Sequence, residues 1–192
     1  QVASSTDSLG NVTSFVYDEE GRVIEATIPD NTPDNPDDNP KIFNEYDKAG
    51  RLISETSATG LVTRYVYDAL GRVEAVILPD TTPETLDDNP RVTTEYTAAG
   101  RIKARTDVFG NRETYEYDSV GRLVREIDVL GNETDYTYTT GGQVESITDL
   151  RDRQTTFVYD EHARLLETQF FDGTKATLTY DGLGRVATET NE

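Results

Sequence analysis

Tyrosine recurs along this chain at fixed intervals. Tyr17, Tyr46, Tyr67, Tyr96, Tyr117, Tyr138, Tyr159 and Tyr180 are separated by 29, 21, 29, 21, 21, 21 and 21 residues. Each opens the same string, Tyr-Asp-x-x-Gly-Arg followed by an aliphatic residue. It is complete at Tyr17-Asp18 with Gly21-Arg22, Tyr46-Asp47 with Gly50-Arg51, Tyr67-Asp68 with Gly71-Arg72, Tyr117-Asp118 with Gly121-Arg122, and Tyr180-Asp181 with Gly184-Arg185. Three copies depart from it: Tyr96 has Thr97, Gly100 and Arg101; Tyr138 has Thr139, Gly142 and Gln143; Tyr159 has Asp160, Ala163 and Arg164. Val23, Leu52, Val73, Ile102, Leu123, Val144, Leu165 and Val186 fill the aliphatic position of every copy. A short period of this kind means a stack of equivalent units that share one continuous structure.

A second glycine lies seven residues before Tyr at Gly10, Gly60, Gly110, Gly131 and Gly173, so each repeat carries two turn signals. Between the turns, runs such as Thr13-Ser14-Phe15-Val16-Tyr17 alternate with a period of two and read as strands. The Tyr face also carries Phe15, Tyr65, Tyr115, Tyr136, Phe157 and Leu178, whereas Glu45, Glu95 and Glu116 take the other; the Tyr face is the predicted packed side. In Asp-x-x-Gly-Arg, a type I turn closed by a left-handed glycine gives a three-residue hairpin loop. That loop places Asp18 opposite Arg22 and Tyr17 opposite Val23, with the ion pair fixing register. A repeat of odd length then keeps Tyr on one face if its other loop is even, so the Gly10-type turn is predicted to be even.

The two 29-residue spacings contain the same eight-residue insertion, within 28–40 and 78–90, and all seven prolines fall there. Proline removes a ladder donor, so these segments are predicted to be protruding loops. Seventeen strands follow from eight hairpins and an opening half-repeat. Open twisted sheets rarely exceed about ten strands without curling or splitting. The expected fold is therefore all-β: tandem antiparallel β-hairpins in a long curling or spiral sheet, part of a shell or hollow barrel. Residues 1–192 read as a single array, with a half repeat at 1–6 and eight repeats over 7–190. Gln1–Asp7 matches Gln143–Asp149 in register, and the chain is expected to be a slice of a longer array.

Tyr-Asp-x-x-Gly-Arg-Leu at a 21-residue period resembles the YD, or Rhs, repeat family over nearly the whole chain. That family includes bacterial Rhs polymorphic toxins, wall-associated proteins, insecticidal toxin complex B and C components, and teneurins. The resemblance implies β-hairpin arrays that spiral into a shell, enclosing a C-terminal toxin domain in the bacterial toxins. It also implies export or cell-surface display. The aspartate-containing self-cleavage segment and the variable effector domain that follow the array in those toxins are not found in these residues, so no toxin action is assigned to them.

Charge narrows the function classes. With 37 acids against 18 bases, the net charge of −19 argues against nucleic acid, which requires a basic footprint, and against anionic membrane surfaces. No run approaches the roughly 18 apolar residues of a membrane span. The absence of Cys removes disulfides and thiolate chemistry, and one histidine, His162, excludes a two-His metal site within the chain. His162 reads as a surface turn residue. No catalytic residue and no cofactor are predicted. Asp30, Asp34, Asp37 and Asp38 in the first insertion, with Asp80, Glu84, Asp87 and Asp88 in the second, are weak Ca²⁺ candidates because carboxylates suit that cation. Their spacing does not follow the EF-hand pattern, and solvated loops account for them more simply.

The leading expectation is thus a non-enzymatic structural segment of a large exported protein. Its partners would be flanking repeats, further copies of itself, or an enclosed toxin domain. Alternatives are a cell-surface adhesion or carbohydrate-binding module, in which aromatic columns contact glycans, and a head-to-tail extracellular filament.

Overall fold

The structure, a computed structural model, describes residues 3–29, 39–80 and 89–192. Seventeen strands form one antiparallel sheet, and no helix occurs among the described residues. Contacts divide the chain into two compact units: residues 1–95 with 106–110, and residues 96–105 with 111–192.

The first unit holds β1 (Ser4–Thr6), β2 (Val12–Tyr17), β3 (Val23–Thr27), β4 (Lys41–Tyr46), β5 (Leu52–Thr56), β6 (Val62–Tyr67), β7 (Val73–Ile77) and most of β8 (Arg91–Tyr96). The second holds most of β9 (Ile102–Thr106), then β10 (Arg112–Tyr117), β11 (Leu123–Ile127), β12 (Glu133–Tyr138), β13 (Val144–Thr148), β14 (Gln154–Tyr159), β15 (Leu165–Gln169), β16 (Lys175–Tyr180) and β17 (Val186–Asn191). Within each unit, consecutive strands pair antiparallel.

The two turns of a repeat have the same size, which corrects the even loop expected above. Asp18 N donates to Arg22 O at 3.0 Å and Gly21 N to Asp18 O at 3.1 Å. In the other turn, Asp7 N donates to Asn11 O at 3.0 Å and Gly10 N to Asp7 O at 3.1 Å. Both loops therefore have three residues. Parity is restored inside the Tyr hairpin instead. Tyr17 pairs with Val23 but Val16 pairs with Glu25, so Ile24 is an extra residue. The same β-bulge leaves Ile53, Glu74, Val124, Glu145, Leu166 and Ala187 unpaired in the later hairpins. One inserted residue per repeat flips the face once, and an odd period of 21 becomes compatible with an unbroken Tyr face.

The insertions start from the closing pair of the other turn. Ile28 N donates to Pro40 O at 2.9 Å and Leu78 N to Pro90 O at 2.8 Å, so each enlarged loop begins from the pair equivalent to Asp7 and Asn11. Eight added residues keep the loop odd.

Burial also differs from expectation. All eleven tyrosines are half-buried, and the only buried hydrophobic residues among those described are Ala75 and Ala104. Ser54 and Ser146 are buried at the same repeat position, two residues beyond the aliphatic. These small side chains lie on the face opposite Tyr: Ser54 pairs with Glu45 and Arg64, Ala75 with Val66 and Thr93, and Ser146 with Thr137 and Thr156. Long or β-branched neighbours close over a small residue. Each described unit is thus held by contacts within the sheet plane more than by a second covering layer.

Candidate functional site

The motif residues make two successive connections, one within a turn and one to the next repeat. Within the turn, Asp18 Oδ1 accepts from Arg22 N at 2.8 Å, and Asp18 Oδ2 accepts from Arg22 Nε at 2.6 Å. Asp47 with Arg51, Asp68 with Arg72, Asp118 with Arg122, Asp160 with Arg164 and Asp181 with Arg185 repeat this geometry. A carboxylate that accepts several N–H groups and faces a guanidinium favours its ionised form. Backbone donation from Arg122 holds the Asp118 carboxyl below the usual carboxylate range, as donation from Arg51, Arg72, Arg164 and Arg185 does for Asp47, Asp68, Asp160 and Asp181.

The clamped guanidinium then covers the tyrosine of the following repeat. Arg22 lies 4.8 Å from the Tyr46 ring centroid, Arg51 4.5 Å from Tyr67, Arg122 4.5 Å from Tyr138, and Arg164 4.6 Å from Tyr180. These are cation–π distances. Arg101 stands farther out, 5.8 Å from Tyr117, and Thr97 offers it a hydroxyl contact to the backbone N and no carboxylate. Asp therefore aims Arg. Arg185 serves as an internal control: it keeps its Asp181 partner at 2.8 Å, has no following tyrosine in this chain, and its side chain is 74% exposed, against 36% for Arg122.

The same tyrosine reaches back with its hydroxyl. Tyr46 OH donates to Val23 O at 3.0 Å, Tyr67 to Leu52 at 2.7 Å, Tyr117 to Ile102 at 2.9 Å, Tyr138 to Leu123 at 2.6 Å, Tyr159 to Val144 at 2.9 Å and Tyr180 to Leu165 at 2.8 Å. Val23, Leu52, Leu123, Val144 and Leu165 each stand just before a bulged residue, where the ladder is interrupted. Bulge, aliphatic and Tyr thus form one joint between repeats. The sequence pattern did not reveal this joint, because nothing in the motif's spacing marks a cross-repeat partner.

Glycine at the motif turn has two reasons. Its φ is positive, +82° at Gly50 and +92° at Gly121, and the preceding repeat's guanidinium passes close by. A methyl at Gly71 would lie 3.3 Å from Arg51 Nη1, and one at Gly121 would run into the Arg101 guanidinium. Ala163, at φ 62°, is the one non-glycine here, and the preceding repeat supplies Gln143 in place of Arg.

The second row of turns uses a related clamp. Asn11 and Asn132 amides donate to Asp7 and Asp128 at 2.9 and 2.7 Å. Arg153 Nε donates to Asp149 at 2.7 Å, and Arg153 lies 5.0 Å from the Phe171 ring centroid. The Arg153 hydrogen bond lowers the Asp149 pKa to about 2.

Of the Ca²⁺ candidates, Asp30, Asp34, Asp37, Asp38, Glu84, Asp87 and Asp88 lie outside the described residues. Asp80 lines a small cavity of about 80 Å³ together with Asn89 and the Arg64 cation. No cluster of three metal-ligating side chains occurs among the described residues. His162 stands on an exposed turn, its Nδ1 3.9 Å from Glu161.

Fold and ladder together define a tandem β-hairpin repeat protein. The RHS Repeat family model matches residues 1–33, 46–83, 96–133 and 117–153, and the chain belongs to that family. Among solved structures, the Tc holotoxin pore of Photorhabdus luminescens matches with a TM-score of 0.65 and 19% identity, over 95% of this chain and 11% of that one. That likeness shows the shared fold. Two further matches have lower TM-scores. TcdB2-TccC3 without its hypervariable C-terminal region gives 0.33 at 15% identity, over 98% of this chain and 14% of that one. A porin-like protein from Bacteroides uniformis gives 0.35 at 11% identity, over 98% and 95%. No curated protein matches the chain.

Proposed function

We propose that this chain is a non-enzymatic wall segment of a large exported bacterial protein whose repeats enclose a toxin domain carried elsewhere in the same polypeptide. One observation carries the reading: the polar motif groups Asp, Arg and Tyr OH are engaged with one another and with the backbone, turn after turn, in the service of joining repeats. A catalytic site needs such groups to converge on a substrate position; here they converge on the next repeat. Membership of the RHS repeat family and the fold shared with the Tc holotoxin pore support a scaffold role, and export and enclosure extend that role. Electron microscopy of the full-length parent protein tests it, combined with limited proteolysis of any downstream domain. A hollow particle whose interior domain resists protease is the expected result; an extended rod with a freely digested domain overturns the enclosure.

A second reading, surface adhesion, draws on the turn tips. Phe109, Leu130, Leu150 and Phe171 are exposed at the second row of turns, and exposed aromatics suit sugar faces. Glycan-array binding that disappears in Phe109→Ser and Phe171→Ser would favour this reading over enclosure alone; a blank array removes it.

A further inference from the structure

The Tyr159 ring faces a repeat that offers glutamine in the arginine position. Tyr159 keeps its hydroxyl bond to Val144 O at 2.9 Å, but the position that covers the ring in other repeats holds Gln143. That side chain folds back onto its own turn: Thr139 Oγ1 donates to Gln143 Oε1, and the amide packs beside Gly141. A surface pocket of about 490 Å³ opens where the cation would lie, with Gln143, Glu145, Phe157, Tyr159 and Glu161 among its walls. Glu145 is the bulged residue of its hairpin and Glu161 a turn residue, and both side chains are exposed. The Asp160 carboxylate at the rim is already paired with Arg164.

We infer that this pocket is a receptor for an arginine side chain presented by another polypeptide segment. The chain itself supplies the template: wherever Arg22, Arg51, Arg122 or Arg164 is available, its guanidinium settles 4.5 to 4.8 Å from the equivalent ring with a carboxylate beside it. At Tyr159 the ring is present and the guanidinium is missing; Thr139 replaces the clamp aspartate, and the pocket's free carboxylates come instead from Glu145 and Glu161. A planar cation gains from the ring face and from paired oxygens together, which a compact ammonium does not match. Ala163 adds a methyl where the others have glycine, and a methyl at Gly50 or Gly71 would stand 3.4 or 3.3 Å from the neighbouring guanidinium nitrogen, so an arginine entering here must sit a few tenths of an ångström farther out than the internal ones. The net charge of −19 adds a long-range pull on any cationic segment.

The test uses the full 192-residue chain with ring-labelled tyrosine, observed by NMR, and the probe acetyl-Gly-Arg-Gly-amide, with the Lys tripeptide alongside. The Tyr159 signal is assigned by its loss in Tyr159→Phe. Saturable movement of that signal, with the Tyr180 signal still, is the expected result. Gln143→Arg, alone and with Ala163→Gly, places an internal guanidinium on the ring and weakens the probe by about tenfold or more; Glu145→Gln with Glu161→Gln does the same while leaving the ring open. Equal movement at Tyr180, or unchanged binding in all of these variants, would mean diffuse attraction to an acidic surface and would overturn the assignment. So would Lys binding as tightly as Arg, or no movement at all. Unchanged circular dichroism separates lost binding from lost folding.

Discussion

The Arg122 guanidinium lies 4.5 Å from the centre of the Tyr138 ring, and the Tyr138 hydroxyl donates to Leu123 O, the carbonyl of the residue that follows Arg122. One tyrosine is thereby held from its face and its tip by two adjacent residues of the previous repeat.

Removing the hydroxyl tests the tip. Tyr138→Phe leaves the Leu123 carbonyl without its donor and is expected to cost about 1 kcal/mol. Arg122→Met removes the cation over the face while keeping the stem, at a similar cost of about 0.5–1.5 kcal/mol. Because both act on one ring, the double variant should fall short of the sum. Urea titrations of the four proteins close the cycle; strict additivity would show that the two contacts are independent.

Thr97→Asp should supply the missing clamp. Arg101 stacks at 5.8 Å where clamped arginines stack at 4.5 to 4.8 Å. The substitution is expected to draw Arg101 onto Tyr117 and to stabilise by a few tenths of a kcal/mol, in line with about 0–1 kcal/mol for an exposed pair. A crystal structure of the variant reads the distance; an unchanged 5.8 Å would show that Asp does not aim Arg.

Two glycines separate backbone strain from collision. Gly121 and Gly131 have φ of +92° and +81°, but only Gly121 faces a guanidinium, that of Arg101; nothing lies near a methyl at Gly131. Gly131→Ala is expected to cost about 1 kcal/mol through backbone conformation alone. Gly121→Ala should cost more, and the excess should disappear when Arg101→Ala is added.

Acid should dissolve the clamps in a defined window. The Asp149 pKa is lowered to about 2 from 3.8. The folded state therefore binds fewer protons than the unfolded chain between those values, and stability falls as pH falls. The contribution is complete above about pH 5, falls steeply between 3.8 and 2, and is gone about a unit below 2. The difference in melting temperature between the wild type and Asp149→Asn should be constant at neutral pH and reduced to a small remainder at pH 2. A difference that persists there undiminished would place the effect elsewhere.

Strand positions and the motif turn were legible in the sequence because Tyr-Asp-x-x-Gly-Arg states its own geometry: one ion pair, one glycine, one loop length. The bulge was not legible. Ile24, Ile53, Glu74 and Glu145 share no chemistry, since an extra residue needs only to exist, and parity alone cannot say whether an even loop or a bulge restores the face. The joint from Arg22 to Tyr46 was hidden for a different reason: its partners belong to different copies of the motif, and only the pairing of β3 with β4 brings them together. The substitution of Gln143 before Ala163 was visible as two separate departures, and the stacked geometry makes them one.

The bulge also behaves as a frame marker. Within its unit, every residue past Ile24 owes its side of the sheet in part to that unpaired position, much as downstream codons owe their sense to the bases before them. Losing it would turn the later tyrosines of the same unit to the opposite surface until a second odd change restored them. Growth by pairs is silent and growth by ones is not, and both insertions, at 28–40 and 78–90, comply by adding eight.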